Sequence, residues 1–460
     1  MAELNLPAVA STVVSSIALW QQLQATAGVL LAVRSGQATT ASLDQLSAEL
    51  RPGVQSLSFQ VLRSLGRAQA LRQHLASRAP PAAADALLCT ALALSWRDSN
   101  APYTAFTLVN QTVEAAKRDK ATQAQASFIN ACLRRFLREK AVLVAATDSD
   151  PLARWNHPAW WIAQLKKDYP AQWQAILQAN LAQAPMTLRV NRLKSSRDDY
   201  LQALATAGIR ATAVGAFGVT LEKARPVQNI PGFAAGVVSV QDAAAQLAAP
   251  LLLEGIRSNA APLRDNLPDA RLRVLDACAA PGGKTAHLLE LGPCDVTALE
   301  IDSQRAARID QNLQRLGLHA NIIVGDAARP EVWWDGQLFD AILLDAPCTA
   351  SGIVRRHPDV PWLRRETDVP ALSAIQARLL QTLWPLLKPA GRLLYCTCSV
   401  FKAEGTDRVQ TFLVHHTDAT LLASPGHLVP RFRANHESLP DNSADDHDGF
   451  YLALLQKCAA

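Results

Sequence analysis

The sequence has few cysteines and no regular spacing between them. Its 460 residues contain eight, no Cys-x-x-Cys pair occurs, and the only close pair is Cys396 and Cys398. A disulfide framework and a structural zinc site are therefore excluded, because both need cysteines at characteristic spacings. No metal site is predicted. Free thiols are typical of a reducing cytosol, so a cytoplasmic location is expected.

Long apolar runs are also missing. None approaches the ~20 residues that span a bilayer, so no membrane association is expected. The chain begins Met-Ala-Glu without the basic residues that precede the apolar part of a signal peptide, and no signal peptide is predicted. Neither an internal repeat nor a low-complexity tract is present beyond an alanine bias.

The overall composition is that of an ordinary globular protein. Hydrophobic residues make up 49% of the chain, charged residues 18%, and the formal net charge is +5. These values predict a helix-rich chain with a sizeable core, and the length favours about three domains. The mild basic excess permits a polyanionic partner without requiring one.

Hydrophobic periodicity divides the chain into three predicted domains. Residues 1–147 show successive helical patterns and predict an all-α domain. Residues 148–257 predict a helical linker followed by a small α+β module, and the polar stretch 258–269 predicts a loop at the start of a third domain, 258–460. The strands expected in the module are Met186–Val190, Ala211–Val214 and Val237–Val240.

Two basic clusters precede the third domain. Each is a candidate for contact with nucleic-acid phosphates, although a solvated helix face is the commoner explanation for the first. The first, on the last helix of the all-α domain, comprises Arg134, Arg135, Arg138 and Lys140. The second, in the first turn of the α+β module, comprises Arg189, Arg192, Lys194 and Arg197.

The third domain alternates strands with helices, which predicts a doubly wound, mostly parallel sheet. A last strand, Phe450–Leu455, follows an acidic turn and is expected to pair antiparallel at the edge of the sheet. The acidic turn contains Asp441, Asp445, Asp446 and Asp448. The other expected strands are Arg273–Ala277, Val296–Ile301, Ile322–Val324, Ala341–Leu344 and Arg392–Cys396.

The stretch from Phe339 to Gly352 is the centre of the predicted site. An apolar run ends at Asp345 and is followed at once by Pro347 and Cys348. Ligands of open α/β sheets bind where strands end, so this carboxylate and this thiol are candidate site residues. Taken alone, the stretch is better explained by a buried strand, a turn and a packed cysteine.

The first strand of the third domain leads into a turn of small residues. It runs from Asp276 to Thr285, and Gly282 and Gly283 lie just before a predicted helix. Such a turn admits a nucleotide or a carboxylate to unpaired backbone amides. A P-loop is not supported, because Cys278 stands where its first glycine is required, and a dinucleotide fingerprint would need three spaced glycines.

Acidic residues stand at the ends of four successive strands. Beyond the first strand they are Glu300 or Asp302, then Asp326, then Asp345. An acid about twenty residues beyond the glycine turn typically binds ribose hydroxyls. Any one of them could be a helix cap, but the series favours a neutral or cationic adenosyl ligand over a triphosphate.

The fifth strand ends in Tyr395–Ser399, so Cys398 is expected at the same edge of the sheet as Cys348. Two thiols beside a carboxylate and basic residues are candidates for reactive thiolates. Cys396 is interpreted as a packing residue, with oxidation to Cys398 as the alternative. The basic residues in question are Lys284, Arg355 and Arg356.

These segments strongly resemble the S-adenosylmethionine-dependent RNA (cytosine-5) methyltransferases, and within them the bacterial Fmu/Sun group, which methylates one cytosine of 16S rRNA. The resemblance implies a NusB-like all-α RNA-binding domain, an RRM-like α+β module and a Rossmann-like class I methyltransferase domain. The matching segments are DACAAPGGKT at 276, ALEID at 298, GDA at 325, LLDAPCTASG at 343, RRHPDV at 355, YCTCSV at 395 and, for the NusB-like part, FINACLRRF at 128.

The resemblance implies S-adenosylmethionine as the cofactor. It places the ribose acid at Glu300, where aspartate is commoner in the family, so Asp302 stays an alternative. It places the adenine-side acid at Asp326. The cofactor loop that it implies comprises Cys278, Ala279, Ala280, Pro281, Gly282, Gly283 and Lys284.

The resemblance also implies the catalytic roles. Cys398 is the expected nucleophile, Cys348 assists release of the product, and Asp345 lies between cofactor and base. The expected partner is 16S rRNA, bound by a monomer. The alternatives are a non-catalytic RNA-binding or antitermination-type factor, a methyltransferase acting on tRNA or DNA, and, least of all, a P-loop NTPase.

Overall fold

The computed structural model describes residues 17–97, 102–256, 271–430 and 446–459. The chain forms two compact units, residues 1–157 and 158–460. The loop expected at 258–269 lies outside the described residues, as do Asp441 and Asp445 of the acidic turn. The boundaries predicted at 147 and 257 stay predictions.

The first unit is helical throughout its described residues. Apolar residues from Leu57 to Leu75 fall at helical spacing and predict one helix, but the chain forms two, separated at Arg63 and Ser64. Serine is a poor residue for a helix interior. The helices are α1 (Leu19–Arg34), α2 (Thr39–Asp44), α3 (Arg51–Leu62), α4 (Leu65–Leu75), α5 (Ala82–Ser95), α6 (Ala105–Arg118), α7 (Ala126–Ala146) and α8 (Pro151–Trp155).

Helix α5 lies at the centre of this unit, and α7 carries the predicted basic cluster. Every residue of α5 from Ala84 to Ser95 is buried, as expected of a helix that is apolar on all sides. On α7 the buried stripe includes Ile129, Leu133 and Phe136. The helical spacing also predicts Phe128 in that stripe, but its side chain is exposed. The exposed arginines of α7 are Arg134, Arg135 and Arg138.

The second unit begins with two helices and a four-stranded antiparallel sheet. The sheet has the order β2-β3-β1-β4, so the predicted α+β module is confirmed. Strand β3 was not predicted, because it is short and begins with a glycine, a residue that weakens strands. The elements are α9 (Ala159–Asp168), α10 (Trp173–Leu181), β1 (Met186–Val190), α11 (Arg197–Thr206), β2 (Ala211–Val214), β3 (Gly218–Leu221), β4 (Val238–Val240) and α12 (Ala248–Leu253).

An eight-stranded sheet follows, which confirms the Rossmann-like prediction. Its order is β10-β12-β9-β8-β5-β6-β7, with β11 also paired to β12. The elements are β5 (Leu272–Ala277), α13 (Gly283–Leu291), β6 (Cys294–Glu300), α14 (Ser303–Leu316), β7 (Asn321–Val324), β8 (Phe339–Asp345), α15 (Val360–Leu363), α16 (Asp368–Leu383), β9 (Leu387–Thr397), α17 (Thr406–His415), β10 (Ala419–Leu421), β11 (Gly426–Leu428) and β12 (Phe450–Lys457).

The pairing of these strands sets the position of the site. Strands β5 to β9 are parallel, and β12 pairs antiparallel with β9, as predicted. The prediction that β12 forms the edge is wrong, because β10 and β11 pair with its other side. The chain runs from β5 outward in both directions, so the strand order reverses beside β5. Ligand crevices form at such switch points.

A buried ion pair joins the α+β module to the larger sheet. Arg189 on β1 donates to both carboxylate oxygens of Glu290 on α13, at 3.0 and 2.8 Å, and to the carbonyl oxygen of Gly283 at 2.7 Å. The prediction that Arg189 belongs to a phosphate-binding turn is therefore wrong, since its guanidinium is buried and paired. Among the described residues, no helix combines the length and apolar character needed to cross a membrane.

Candidate active site

A crevice of about 670 Å³ opens where β5, β6, β7, β8 and β9 end. It brings together most of the side chains that the sequence predicted for a site. Those that line it are Cys278, Ala280, Pro281, Glu300, Asp326, Asp345, Cys348 and Cys398. Within the described ranges no group of His, Cys, Asp and Glu side chains is placed to hold a metal ion.

The turn after β5 has a backbone that only certain residues tolerate. Cys278 has a φ of 64° and Gly282 a φ of 92°. A side chain at position 282 would place its Cβ 3.1 Å from Ile309 on α14, so glycine is needed there for both conformation and space. Ala279 is buried behind the crevice, and Gly283 begins α13. Burial raises the pKa of Cys278 to about 12, so this cysteine stays a thiol.

Glu300 and Asp302, the two candidates for the ribose acid, have different surroundings. Glu300 lines the crevice, accepts the Ala280 N–H at 3.3 Å and pairs with Arg305 at 3.2 Å. Asp302 instead caps α14, where its Oδ1 accepts the N–H groups of Gln304 and Arg305 at 2.8 and 2.9 Å. Glu300 is therefore the acid of this pair that lines the crevice.

Asp276, near the end of β5, and Asp326, just after β7, also have different surroundings. Asp326 lines the crevice and uses Oδ1 to accept the Ala328 N–H at 2.9 Å. Asp276 is fully buried and accepts the Thr285 hydroxyl at 2.6 Å, and burial raises its pKa to about 7. The predicted series of acids at strand ends therefore contributes three carboxylates to the crevice rather than four.

Asp345, at the end of β8, is held by two groups. Lys284 Nζ lies 2.6 Å from its Oδ2, and the Cys396 thiol donates to its Oδ1 at 3.5 Å. Burial alone would lower the pKa of Lys284, but the charge and hydrogen bond of Asp345, together with the neighbouring Cys396 and Cys398, raise it overall. Burial raises the pKa of Cys396 well above its ordinary value. Cys396 is buried, as expected of a packing residue, but it also donates a hydrogen bond to Asp345, which was not predicted.

The two candidate reactive cysteines face each other across the crevice. The Sγ atoms of Cys348 and Cys398 are 3.4 Å apart. Their loops are joined by the Gly352 N–H, which donates to the Cys398 carbonyl oxygen at 2.9 Å. The contact with the Cys398 thiol, followed by burial, raises the pKa of Cys348 well above its ordinary value. Cys348 is therefore held as a thiol beside Cys398.

Arg355 and Arg356 do not stand beside the thiols, contrary to the prediction. Arg355 pairs with Asp446 at 2.6 Å and with Asp448, which is fully buried. Arg356 pairs with the same Asp448 and with Asp242, the latter at 2.8 Å. Both guanidinium groups are neutralised by these aspartates, so Lys284 is the predicted cation that reaches the acid beside the thiols.

Several residues of the crevice were missed by the sequence analysis. His357, Ile375 and Arg378 line it near Cys348. His357 lies in the RRHPDV segment and was available as a motif residue, whereas Ile375 and Arg378 are on α16 and carry no sequence signal. Glu404, which the sequence analysis also missed, is fully buried. It accepts hydrogen bonds from Thr349 and Ser399, in the two loops that carry Cys348 and Cys398 (the thiol loops).

The crevice has the chemistry of an adenosyl site. The carboxylates of Glu300, Asp326 and Asp345 can accept from ribose hydroxyls and an exocyclic amine, and they favour a cationic sulfur over phosphates. Ile301, 65% exposed, adds an apolar surface for a purine ring. The fold and this crevice define an S-adenosylmethionine-dependent methyltransferase.

Comparison with known proteins narrows this class. Residues 266–456 match the family described as 16S rRNA methyltransferase RsmB/F, residues 157–228 match the ferredoxin-like domain of RsmF/B-like methyltransferases, and residues 17–138 match the NusB family. The chain belongs to the RsmB/F family of 16S rRNA methyltransferases. The resemblance stated from the motifs is thereby confirmed, together with its NusB-like and α+β parts.

Individual relatives agree with this assignment. The chain is 40% identical over 433 residues to the Vibrio cholerae protein named ribosomal RNA small subunit methyltransferase B, covering 92% of this chain and 94% of the relative. A Pseudomonas syringae protein of the same name is 40% identical over 451 residues, covering 95% and 97%. A solved structure, a methyltransferase homologue from Pyrococcus horikoshii, is 25% identical with a TM-score of 0.53, covering 67% and 98%.

Proposed function

We propose that this protein transfers a methyl group from S-adenosylmethionine to carbon 5 of one cytosine in 16S rRNA through a covalent adduct with Cys398. The observation that carries the proposal is the placement of two facing thiols, Cys348 and Cys398, in one crevice with the carboxylate of Asp345. Relatives named ribosomal RNA small subunit methyltransferase B support the choice of RNA.

The chemistry explains why both a thiol and a carboxylate are needed. Carbon 5 of cytosine is a poor nucleophile until the Cys398 thiolate adds to carbon 6 and converts the ring to an enamine. Asp345 stabilises this adduct through the N3 and exocyclic amine of the base, and Lys284, whose Nζ lies 2.6 Å from Asp345 Oδ2, holds the carboxyl group in place. Bound S-adenosylmethionine supplies the methyl group on a cationic sulfur.

Release of the product completes the cycle. Solvent water in the open crevice takes the carbon 5 proton, the electrons of that bond re-form the double bond between carbons 5 and 6, and the bond from carbon 6 to sulfur breaks to release Cys398 as a thiolate. Cys348, protonated and 3.4 Å from the Cys398 sulfur, assists this elimination. The nucleophile and the release residue are thus different cysteines on neighbouring strand ends.

The remaining residues hold the cofactor and the RNA. Glu300 accepts from the ribose hydroxyls, Asp326 from the adenine amine, and the turn 278–284 surrounds the rest of the adenosyl group. We assign RNA binding to the all-α domain, residues 1–147, with the α+β module in residues 148–257 and catalysis in residues 258–460. The protein acts as a cytoplasmic monomer in this proposal, and light scattering of the purified chain tests the oligomeric state.

Bisulfite sequencing tests the proposed function directly. Unmodified 16S rRNA is incubated with the protein, with and without S-adenosylmethionine, and cytosines that resist deamination are mapped. We expect one protected cytosine that depends on both protein and cofactor. Protection found in tRNA and not in 16S rRNA would support the tRNA alternative, and RNA binding without any protected cytosine would support the non-catalytic factor.

A further inference from the structure

Glu404 is a buried carboxylate that the proposed chemistry does not use. It ends the short 3-10 turn Lys402–Glu404, six residues beyond Cys398, and its residue exposure is 0%. A buried carboxylate is stable only when hydrogen bonds or a paired cation satisfy it. The hydrogen-bond partners of Glu404 therefore indicate which segments it fixes in place.

Its two oxygens accept hydrogen bonds from both thiol loops. Oε1 accepts the Thr349 N–H at 2.9 Å, and Oε2 accepts the Thr349 hydroxyl. Oε2 also accepts the Ser399 hydroxyl at 2.6 Å. Thr349 follows Cys348 in the chain and Ser399 follows Cys398, so one carboxylate contacts the immediate neighbours of both cysteines.

A third partner holds the residue on the other side of Cys348. Gln376 on α16 donates to Glu404 Oε1 at 3.2 Å and to the Pro347 carbonyl oxygen at 2.9 Å. The main chain of Glu404 is fixed as well, since its carbonyl oxygen accepts the Tyr395 hydroxyl at 2.8 Å. The carboxylate is therefore anchored to β9 while it holds the loop that follows β8.

The hydrogen-bond pattern requires an acceptor at both oxygens. The Ser399 hydroxyl already accepts the Phe401 N–H at 3.1 Å and lies 2.8 Å from the Ser351 hydroxyl, which leaves its proton for Glu404. An amide N–H in place of Oε2 would face this donor and leave a buried group without a partner. Burial raises the pKa of Glu404, and the hydrogen bonds from Ser399 and Thr349 oppose that rise.

We propose that Glu404 is a positioning residue that fixes the distance between the Cys348 and Cys398 thiols. This inference rests on the proposed function in one respect: release of the methylated base uses both thiols together, whereas methyl transfer uses Cys398 with Asp345. Loosening the two loops slows release more than transfer. Glu404 contacts neither substrate nor cofactor in this role and acts through the loops. Its charge also contributes to the raised pKa of Cys348, so loss of that charge in Glu404→Gln would by itself favour the thiolate, and slower closure of the disulfide reports positioning.

The geometric part of the inference is tested without RNA or cofactor. The protein, with exposed Cys458 changed to Ser, is treated with oxidised glutathione, which takes two electrons and two protons from the facing thiols and becomes two reduced molecules. Closure of the Cys348–Cys398 disulfide is followed by peptide mapping. We expect Glu404→Gln to close about tenfold more slowly than the parent, and Glu404→Asp, which keeps the charge but loses reach, to lie between them.

A matched control separates positioning from general loosening of this segment. Ser373 on α16 donates to the Ala403 carbonyl oxygen at 2.9 Å, next to Glu404, and its hydroxyl accepts from Arg408 at 2.9 Å. Ser373→Ala should close its disulfide within about twofold of the parent. Closure of a folded Glu404→Gln or Glu404→Asp protein at the parent rate would overturn the inference, and thermal unfolding verifies that each variant is folded.

The functional part is tested with RNA on denaturing gels. Glu404→Gln should retain a covalent RNA–protein adduct longer than wild type, with a greater loss in multiple turnover than in the first methyl transfer. Equal losses in both would overturn the link to release. If wild type itself forms neither adduct nor methylated RNA, the proposed function fails, while the disulfide measurement still decides whether Glu404 positions the thiols.

Discussion

The two halves of the crevice are constructed differently. The half proposed to bind the cofactor, the cofactor half, is formed by residues 278–281 with Glu300 and Asp326. It consists of a shaped main chain and carboxylates that accept from neighbouring backbone amides. The thiol half, formed by Asp345, Cys348 and Cys398, consists of side chains that contact other side chains. The first distributes its binding over many atoms, and the second depends on a few. Single substitutions should therefore be far more damaging in the thiol half.

The largest expected effect is from Cys398→Ala. It removes the proposed nucleophile, so the rate of methyl transfer to RNA should fall by about a thousandfold or more. Affinity for S-adenosylmethionine, measured by calorimetry, should stay close to wild type. Cys458→Ser, at an exposed cysteine, is the control and should transfer normally. Full turnover by Cys398→Ala would remove the basis of the proposed mechanism.

Cys348→Ala separates the two thiols from each other. We expect the first methyl transfer to occur and turnover to fall by about a hundredfold, because the adduct on Cys398 is not released. The adduct should be visible with labelled RNA on denaturing gels. The double variant Cys348→Ala with Cys398→Ala is the control, and an adduct that persists in it would show that neither cysteine is the nucleophile.

A smaller effect is expected in the cofactor half, where Glu300→Gln keeps the size of the side chain and removes its charge. The affinity for S-adenosylmethionine should fall by about tenfold, which corresponds to the loss of one charged hydrogen bond. Asp302→Ala should lower the free energy of unfolding by about 1 kcal/mol through loss of the α14 cap, with unchanged cofactor affinity. The reverse pattern in calorimetry would assign the ribose to Asp302.

The smallest effect concerns Asp276, beneath the cofactor half. Burial raises the pKa of Asp276 from its ordinary value of 3.8 to about 7. Between these two pH values the folded chain keeps a proton that the unfolded chain releases. The stability from this group is present below the lower value and lost as pH rises to the higher one. Relative to Asp276→Asn, wild type should lose unfolding free energy between about pH 4 and about pH 7 in urea titrations, and no further above that. An unchanged difference across this window would mean that Asp276 is ionised when folded.

The sequence predicted the parts of the molecule that depend on local pattern. Apolar runs and turn residues located β5 to β9 to within a few residues, because buried parallel strands are continuous apolar segments. The thiols and acids were found because they follow those strands directly. Their roles stay predictions, but their meeting in one crevice followed from the alternation of strands and helices.

What the sequence did not reveal depends on partners far along the chain. Arg355 is paired with Asp448, 93 residues away, and Arg356 with Asp242, 114 residues away. No local pattern distinguishes these arginines from cations that serve a thiolate. Glu404 was missed for the same reason, since an isolated acid in a polar turn gives no sign that two other loops will close over it.

The Arg189–Glu290 ion pair limits which fragments and domain chimeras of this protein can be made. In the intact chain, Arg189→Ala would leave Glu290 buried without its cation, at a cost of about 3–5 kcal/mol, and a catalytic fragment beginning after the module would lose the same cation. It would also lose the donor that holds the Gly283 carbonyl at the start of α13. A chimeric protein that replaces either the module or the methyltransferase domain therefore has to keep both Arg189 and Glu290, or equivalent residues at both positions.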